Sequence, residues 1–425
     1  MLSVLGSAWA LLLGMMLLQV GNGMQGTLIG VRGAIEGFST FELSLITSAY
    51  FLGFLGGSRM TSAFIRRVGH VRVFAALGSF TSAAFILYPT ITDPIAWFLL
   101  RVIVGFCLSG LYVTAESWLN NAASNDNRGK ALSLYMIVQM LGIVAGQGLI
   151  NVADPAGFVL FVIPSVLVSL SFMPILLSAM PTPAFDTTKP MSLGELYRKS
   201  PLAFVGMLLL GGVFSAQFGM SSVYGTQAGF SVAEVSIFVA ALFGGSLIFQ
   251  YPIGWLSDRI DRRVLIFWCG VVGACGCALG FMFSENFVVA VAAGLVLGGV
   301  SNPLYSLIIA YLNDYLEVDE MAAAAGGLVF IAGLGAIAGP LVTGYVMDVV
   351  GPGGFWVLLT ALLVLMALYT AYRMTRRPSA YATEDNYEAV SYAAVVPGAS
   401  PLAVEFAQEV YIDNAADEDE STDVS

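Results

Sequence analysis

The sequence predicts an all-α polytopic membrane protein, with twelve transmembrane helices in two parallel, pseudo-symmetric six-helix bundles. Three observations carry this prediction. The 425-residue chain is 58% hydrophobic and 11% charged, with a mean hydropathy of +0.84, far more apolar than a soluble domain. Twelve successive apolar runs have the length, about 20 residues, that a helix needs to cross a roughly 30 Å hydrocarbon layer. The chain also repeats itself, because shifts of 192 and then 193 residues superpose its halves.

In order, the runs cover 7–29, 41–62, 71–89, 95–119, 131–151 and 157–179, then 202–223, 232–255, 264–282, 287–311, 322–348 and 353–373. Gly-rich, charge-free stretches this long are helices, since a β-barrel would show short alternating segments. The first run has no cationic leader and is too long for a signal-peptide core, so it is expected to remain as a helix. An N-terminal bundle is therefore placed at 1–180, a cytoplasmic linker at 181–199, a C-terminal bundle at 200–377 and an acidic, disordered cytoplasmic tail at 378–425. The repeat aligns Gln25 with Gln217, "GFS" at Gly37 with "GFS" at Gly229, Glu42 with Glu234, Gly53 with Gly245 and Arg67 with Arg259. One residue further it aligns Gly105 with Gly298, Tyr112 with Tyr305, Gly142 with Gly335 and Gly146 with Gly339. Six crossings return the chain to its starting side, so the halves are parallel.

Charge sets the orientation. If the spans alternate, fifteen of the seventeen Lys and Arg residues fall on one side, the exceptions being Arg32 and Arg101. The positive-inside rule makes that side cytoplasmic, with both termini there, and the expected location is the cytoplasmic (inner) membrane. The net charge of −11 comes from the tail, which holds eleven acids and no Lys or Arg after Ser379, and this leaves seventeen acids against seventeen bases elsewhere. The tail reads as solvated and disordered, although its "AVEFAQEVYI" can form a short docking helix. Deleting 380–425 is expected to leave the core's activity intact. The four cysteines lie inside spans as small packing residues, no metal or cofactor is indicated, and His70 reads as a surface loop residue.

"GWLSDRIDRR", Gly254 to Arg263, places five charges in ten positions between the eighth and ninth runs. It resembles the GxxxDRxxRR signature of the major facilitator superfamily. "RVIVGFCLSG" resembles that family's fourth-helix RxxxG pattern at Arg101 and Gly105, and "GLGAIAGPLVTG" resembles its GxxxGP packing motif. "ESWLN…NRGKALSLYM…GQ" resembles the little-characterised YcaD-like bacterial facilitators. The resemblance implies the twelve-helix facilitator fold, with Gly254 as a close-packing residue and Asp258 as a helix-capping acid. It makes Arg259, Arg262 and Arg263 cations that latch onto the other half. The first half departs from the signature, with Arg66, Gly69 and His70 at the positions of Asp258, Asp261 and Arg262.

Polar residues inside the spans are the candidates for chemistry, because a buried cation costs on the order of 2.5–3.5 kcal/mol on insertion scales. Arg101 lies about 9 Å below the outer surface, near the level of Gln25 and one turn from Asn22. These three are expected to form a polar cluster facing a central cavity; the alternative is that Arg101 braces helices through backbone carbonyls. Tyr112 returns to Arg101's helix face after eleven residues and, with its repeat partner Tyr305 and with Gln217, is expected to line the same cavity. Gln139, Gln147 and Gln250 are secondary candidates, equally suited to interhelical hydrogen bonding. Glu116 falls near the cytoplasmic edge, where a gating salt bridge with Arg128 is favoured over proton coupling.

Parallel six-span halves suit a secondary transporter that rocks about a central site. The expected function is movement of a small organic solute by alternating access, with or without proton coupling, by a monomer that binds no nucleic acid. The alternative is a non-transporting membrane sensor that signals through its tail. No HExxH, Ser/His/Asp set or nucleotide-binding glycine loop appears, so an enzyme is not expected.

Overall fold

The computed structural model describes residues 2–122, 128–177, 191–376, 395, 400–410 and 412. All regular structure among them is helical. The chain runs α1 (Leu2–Ile35), α2 (Thr40–Val68), α3 (His70–Leu87), α4 (Pro94–Ala122), α5 (Arg128–Leu149), α6 (Val159–Ser171) and α7 (Met173–Leu177). After α8 (Leu193–Lys199), the second half repeats this with α9 (Pro201–Gly219), α10 (Ser221–Gln227), α11 (Val232–Ser257), α12 (Arg262–Met282), α13 (Phe287–Asn313), α14 (Val318–Val350) and α15 (Gly354–Met374).

Ten of these segments, with α6 and α7 joined into one, are long and apolar enough to cross a membrane. The long helices α1 and α2 occupy the first two expected spans. Each of the twelve apolar runs is thus one helix or a broken pair, the pairs being α6 with α7 and α9 with α10. Successive long helices alternate in direction. One end of the bundle therefore carries the loops after α2, α11 and α13 together with Arg59, Arg66, Arg67 and Arg259, and we call it the cationic end. The loops after α1, α9–α10 and α14 mark the far end.

The repeat has a packing cause. α2 packs on α4 as α11 packs on α13, α1 on α5 as α9 on α14, and α3 on α6 as α12 on α15. The aligned glycines sit where these backbones cross. A Cβ on Gly53 would run into the Val102 carbonyl and one on Gly105 into the Tyr50 carbonyl; Gly245 meets the Leu295 carbonyl and Gly298 that of Leu242 in the same way. The repeated "GFS" is a turn with a capping box. Gly37 and Gly229 take φ of 80° and 82°, and the following Ser39 and Ser231 exchange hydrogen bonds with Glu42 and Glu234, satisfying free N–H groups at each helix start. The halves meet along α2·α14 and α5·α11.

Two expectations, for His70 and for the tail, need correction, and the linker gains described contacts. His70 is buried, 1% exposed, with Nε2 3.0 Å from Ser117 Oγ, because α3 begins directly at Gly69 and turns the imidazole onto α4. The linker is built onto the bundle from Met191 on: Met191 donates to the Ala323 carbonyl at 2.7 Å, and Lys199 pairs with Glu320 at 2.7 Å. The segment read as a disordered tail contains a helix at 401–410 whose Val404, Phe406 and Ala407 are fully buried. Residues 178–190, including Lys189, and Arg377 with most of the acidic tail lie outside the described residues.

Candidate functional site

A cavity lies between the halves at mid-depth, enclosing about 910 Å³ of empty space including its mouth. The first half contributes Gln19, Asn22, Tyr50, Phe54, Tyr112 and Gln139 to its wall, and the second contributes Phe214, Phe218, Phe243 and Tyr305. Among the described residues that line it, none is charged. Polar groups cluster on the first-half wall. Gln19 donates to Gln139 Oε1 at 2.8 Å and accepts from the Tyr112 hydroxyl at 2.8 Å, while Asn22 Nδ2 donates to the Tyr112 hydroxyl at 3.1 Å. This network leaves an acceptor, Asn22 Oδ1, and a donor, Gln139 Nε2, without a hydrogen-bond partner. The residues are 2% and 4% exposed, and buried polar groups without partners are uncommon enough to need an explanation.

Asn22, Tyr112 and Tyr305 of the predicted set line the cavity, whereas Arg101, Gln25 and Gln217 lie outside it. The reason is depth rather than helix face. Arg101 shares a face of α4 with Tyr112 but sits about 16 Å nearer the far end, where the halves have already closed. There Arg101 Nη1 donates to Gln25 Oε1 at 2.6 Å and its guanidinium lies 5.1 Å from the Tyr50 ring centre. In the second half Gln217 accepts from Ser301 at 2.7 Å. Gln147 bonds Thr27 and the Gly23 carbonyl, tying α1 to α5, and Gln250 reaches Ser306 at 3.4 Å.

At the far end the two halves touch directly. Gln227 donates to Thr40 Oγ1 at 2.7 Å, Ser48 donates to the Ile337 carbonyl at 2.9 Å, and Gly30 and Gly344 press against Ser222 and Ser44. At the cationic end Glu116 is buried among donors. Tyr135 donates to its Oε1 at 3.1 Å, and the Ser400 backbone and hydroxyl both donate to Oε2. Its described partners are hydroxyl and amide groups. The side chain of Arg128 lies outside the described residues.

A family model described as Major Facilitator Superfamily matches residues 11–247 and again 204–404. The chain belongs to the Major Facilitator Superfamily. It is similar to an uncharacterized MFS-type transporter of Yersinia pestis (strain Pestoides F), 26% identical over 348 residues, covering 80% of this chain and 88% of that one. It is also similar to the uncharacterized MFS-type transporter YcaD of Escherichia fergusonii, 24% identical over 381 residues, covering 87% and 97%. The crystal structure of the nucleoside transporter NupG matches with a TM-score of 0.74 at 14% identity, over 87% of this chain and 99% of that one. A bacterial homologue of the human lysosomal transporter Spinster, inward-facing and occupied, matches at 0.69 and 15% identity, over 89% and 97%. These two likenesses establish a shared fold.

In this facilitator the described contacts of the signature loop lie within the second half. Asp258 closes the end of α11, and the acid that caps α12 is Asp261, which accepts from the Arg263 backbone at 2.9 Å. Burial raises the Asp258 carboxyl above its ordinary range, against the pull of Arg262 and Arg259. Arg262, 1% exposed, pairs with Asp314; Arg263 pairs with Asp261 at 2.7 Å; and Arg259 stacks on Trp255 at 4.0 Å. All of these partners belong to the same half. A Cβ on Gly254 would meet nothing within 4 Å, so this glycine is not closely packed here. Sequence reasoning missed Gln19 and the aromatic wall. Gln19, Asn22 and Gln25 recur every three residues in an apolar helix, a polar stripe that was open to reading.

Proposed function

We propose that this facilitator is a secondary transporter of a compact, neutral, ring-bearing solute, moved by alternating access across the cytoplasmic membrane. The observation that carries the reading is the uncharged cavity between the halves, with an unpaired amide acceptor and an unpaired amide donor on one wall and phenyl rings opposite. A planar ring with adjacent donor and acceptor groups, such as a nucleobase or a carboxamide heterocycle, can satisfy both amides and stack on aromatic faces. An anionic solute is disfavoured, because Arg101 is engaged by Gln25 outside the cavity. Clustering of the cations at one end supports a cytoplasmic assignment for that end. Direct contact of the halves at the far end then supports an inward-facing arrangement. The described lining residues all come from one protomer, which supports a monomer as the working unit.

Thermal-shift screening of the purified protein tests this. Neutral ring compounds with paired donor and acceptor groups should raise the melting temperature of the native protein, and Asn22→Leu or Gln139→Leu should shrink the shift at a given concentration, in line with an about fivefold weaker affinity. Stabilisation by carboxylates or phosphates alone would refute the proposal.

A further inference from the structure

The cavity has a second boundary that the transport reading does not use. At the cationic end, between α4 of one half and α13 of the other, the space is filled by the chain's own C-terminal segment. We propose that this opening is a docking site for Val395 and residues 400–410, which seal the cavity from the cationic side and must leave before the halves can exchange access.

The segment is bound to both halves. Ser400 donates its backbone N–H and its hydroxyl to Glu116 on α4. Val395 and Ser306 on α13 exchange hydrogen bonds of 2.9 and 3.0 Å between the Val395 backbone and the serine hydroxyl, and Gln408 donates to Asn313 at 3.0 Å. Ser400 caps the helix, accepting from the Leu402 N–H at 3.2 Å, and Pro401 stands at the first helical position, where its missing N–H is no loss. A carboxylate at a helix N-terminus also complements the helix dipole, so Glu116 recognises the start of this helix and not merely one hydroxyl. Val404, Phe406 and Ala407 are fully buried against the bundle.

The position decides the consequence. Glu116 is one turn beyond Tyr112 along α4, and Ser306 follows Tyr305 on α13, so the segment lies directly beneath two cavity-lining tyrosines. With the far end closed by contact of the halves, the docked segment stands on the route from the cavity to the cationic end. It also stands between α4 and α13, whose approach would be needed to close the cationic end. The docked chain is therefore an idle form, and on this proposal deleting residues 380–425 changes access to the cavity, where charge alone led to the expectation of intact activity.

The inference concerns access to the cavity and stands whatever solute is carried. Cysteines replacing Gln408 and Asn313 should be joined by a short bifunctional thiol cross-linker in the membrane-embedded full chain. A cysteine replacing Ser58 in the cavity wall, with the four native cysteines substituted, is then treated with a membrane-impermeant maleimide from the cationic side. Labelling should be slow in the full chain. It should speed at least about tenfold when the chain ends after residue 394, or with Phe406→Asp in the full chain, since a site blocked nine-tenths of the time gains that factor on release. Equal labelling rates in all three chains, or failure of the cross-link to form in normally inserted protein, would overturn the proposal.

Discussion

Asn22 and Gln25, one turn apart on α1, divide the interior polar groups between two tasks. Gln25 accepts from Arg101 Nη1 at 2.6 Å outside the cavity, while Asn22 keeps an acceptor without a described partner in the cavity wall. Arg101→Lys keeps the charge but loses the planar fork. It should therefore destabilise the fold by about 2 kcal/mol, the scale of a hydrogen bond to a charged group, and leave solute affinity per folded molecule unchanged. Asn22→Leu should do the reverse, weakening solute binding by about 1 kcal/mol, roughly fivefold, with little change in melting temperature. Paired calorimetric and melting measurements separate the two. The polar stripe on α1 and the buried cation on α4 were legible in the sequence. The split between cavity and brace was not, because it depends on the depth at which the halves close. That depth is set by contacts such as Thr40 with Gln227, far apart in the chain.

Among the elements, the glycine pairs made the repeat legible and also explain it, since each marks a crossing where carbonyls occupy the space of a side chain. Gly298→Val should cost about 3 kcal/mol or more through overpacking and lower the yield of folded protein in size-exclusion chromatography. Gly254→Leu should behave differently. Nothing lies within 4 Å of a Cβ there, so the melting temperature should hold. Transport should fall if this face closes against the other half during the cycle, and normal transport would remove Gly254 from the switch. The helix at 401–410 shows where composition misleads. Eleven acids made the tail read as solvated, yet "SPLAVEFAQEV" carries its own start signal, Ser then Pro, ahead of an apolar stripe. What the sequence could not supply was the receptor, Glu116 with Ser306 and Asn313, which exists only once the halves are assembled.

For the whole molecule the central claim is that two rigid halves exchange which end is closed, and that the C-terminal segment holds one arrangement. A transporter's ends must open in opposition, whereas a sensor with the same fold has no such requirement. Spin labels on Thr40 and Gln227 report the far end, and labels on Asn120 and Tyr315 report the cationic end. In liposomes the full chain should give one short far-end distance. Chains ended after residue 394 should give a second population in which the far-end distance lengthens as the cationic-end distance shortens. Unchanged single distances at both ends in the shortened chain, with or without a stabilising solute, would contradict alternating access and the role assigned to the segment.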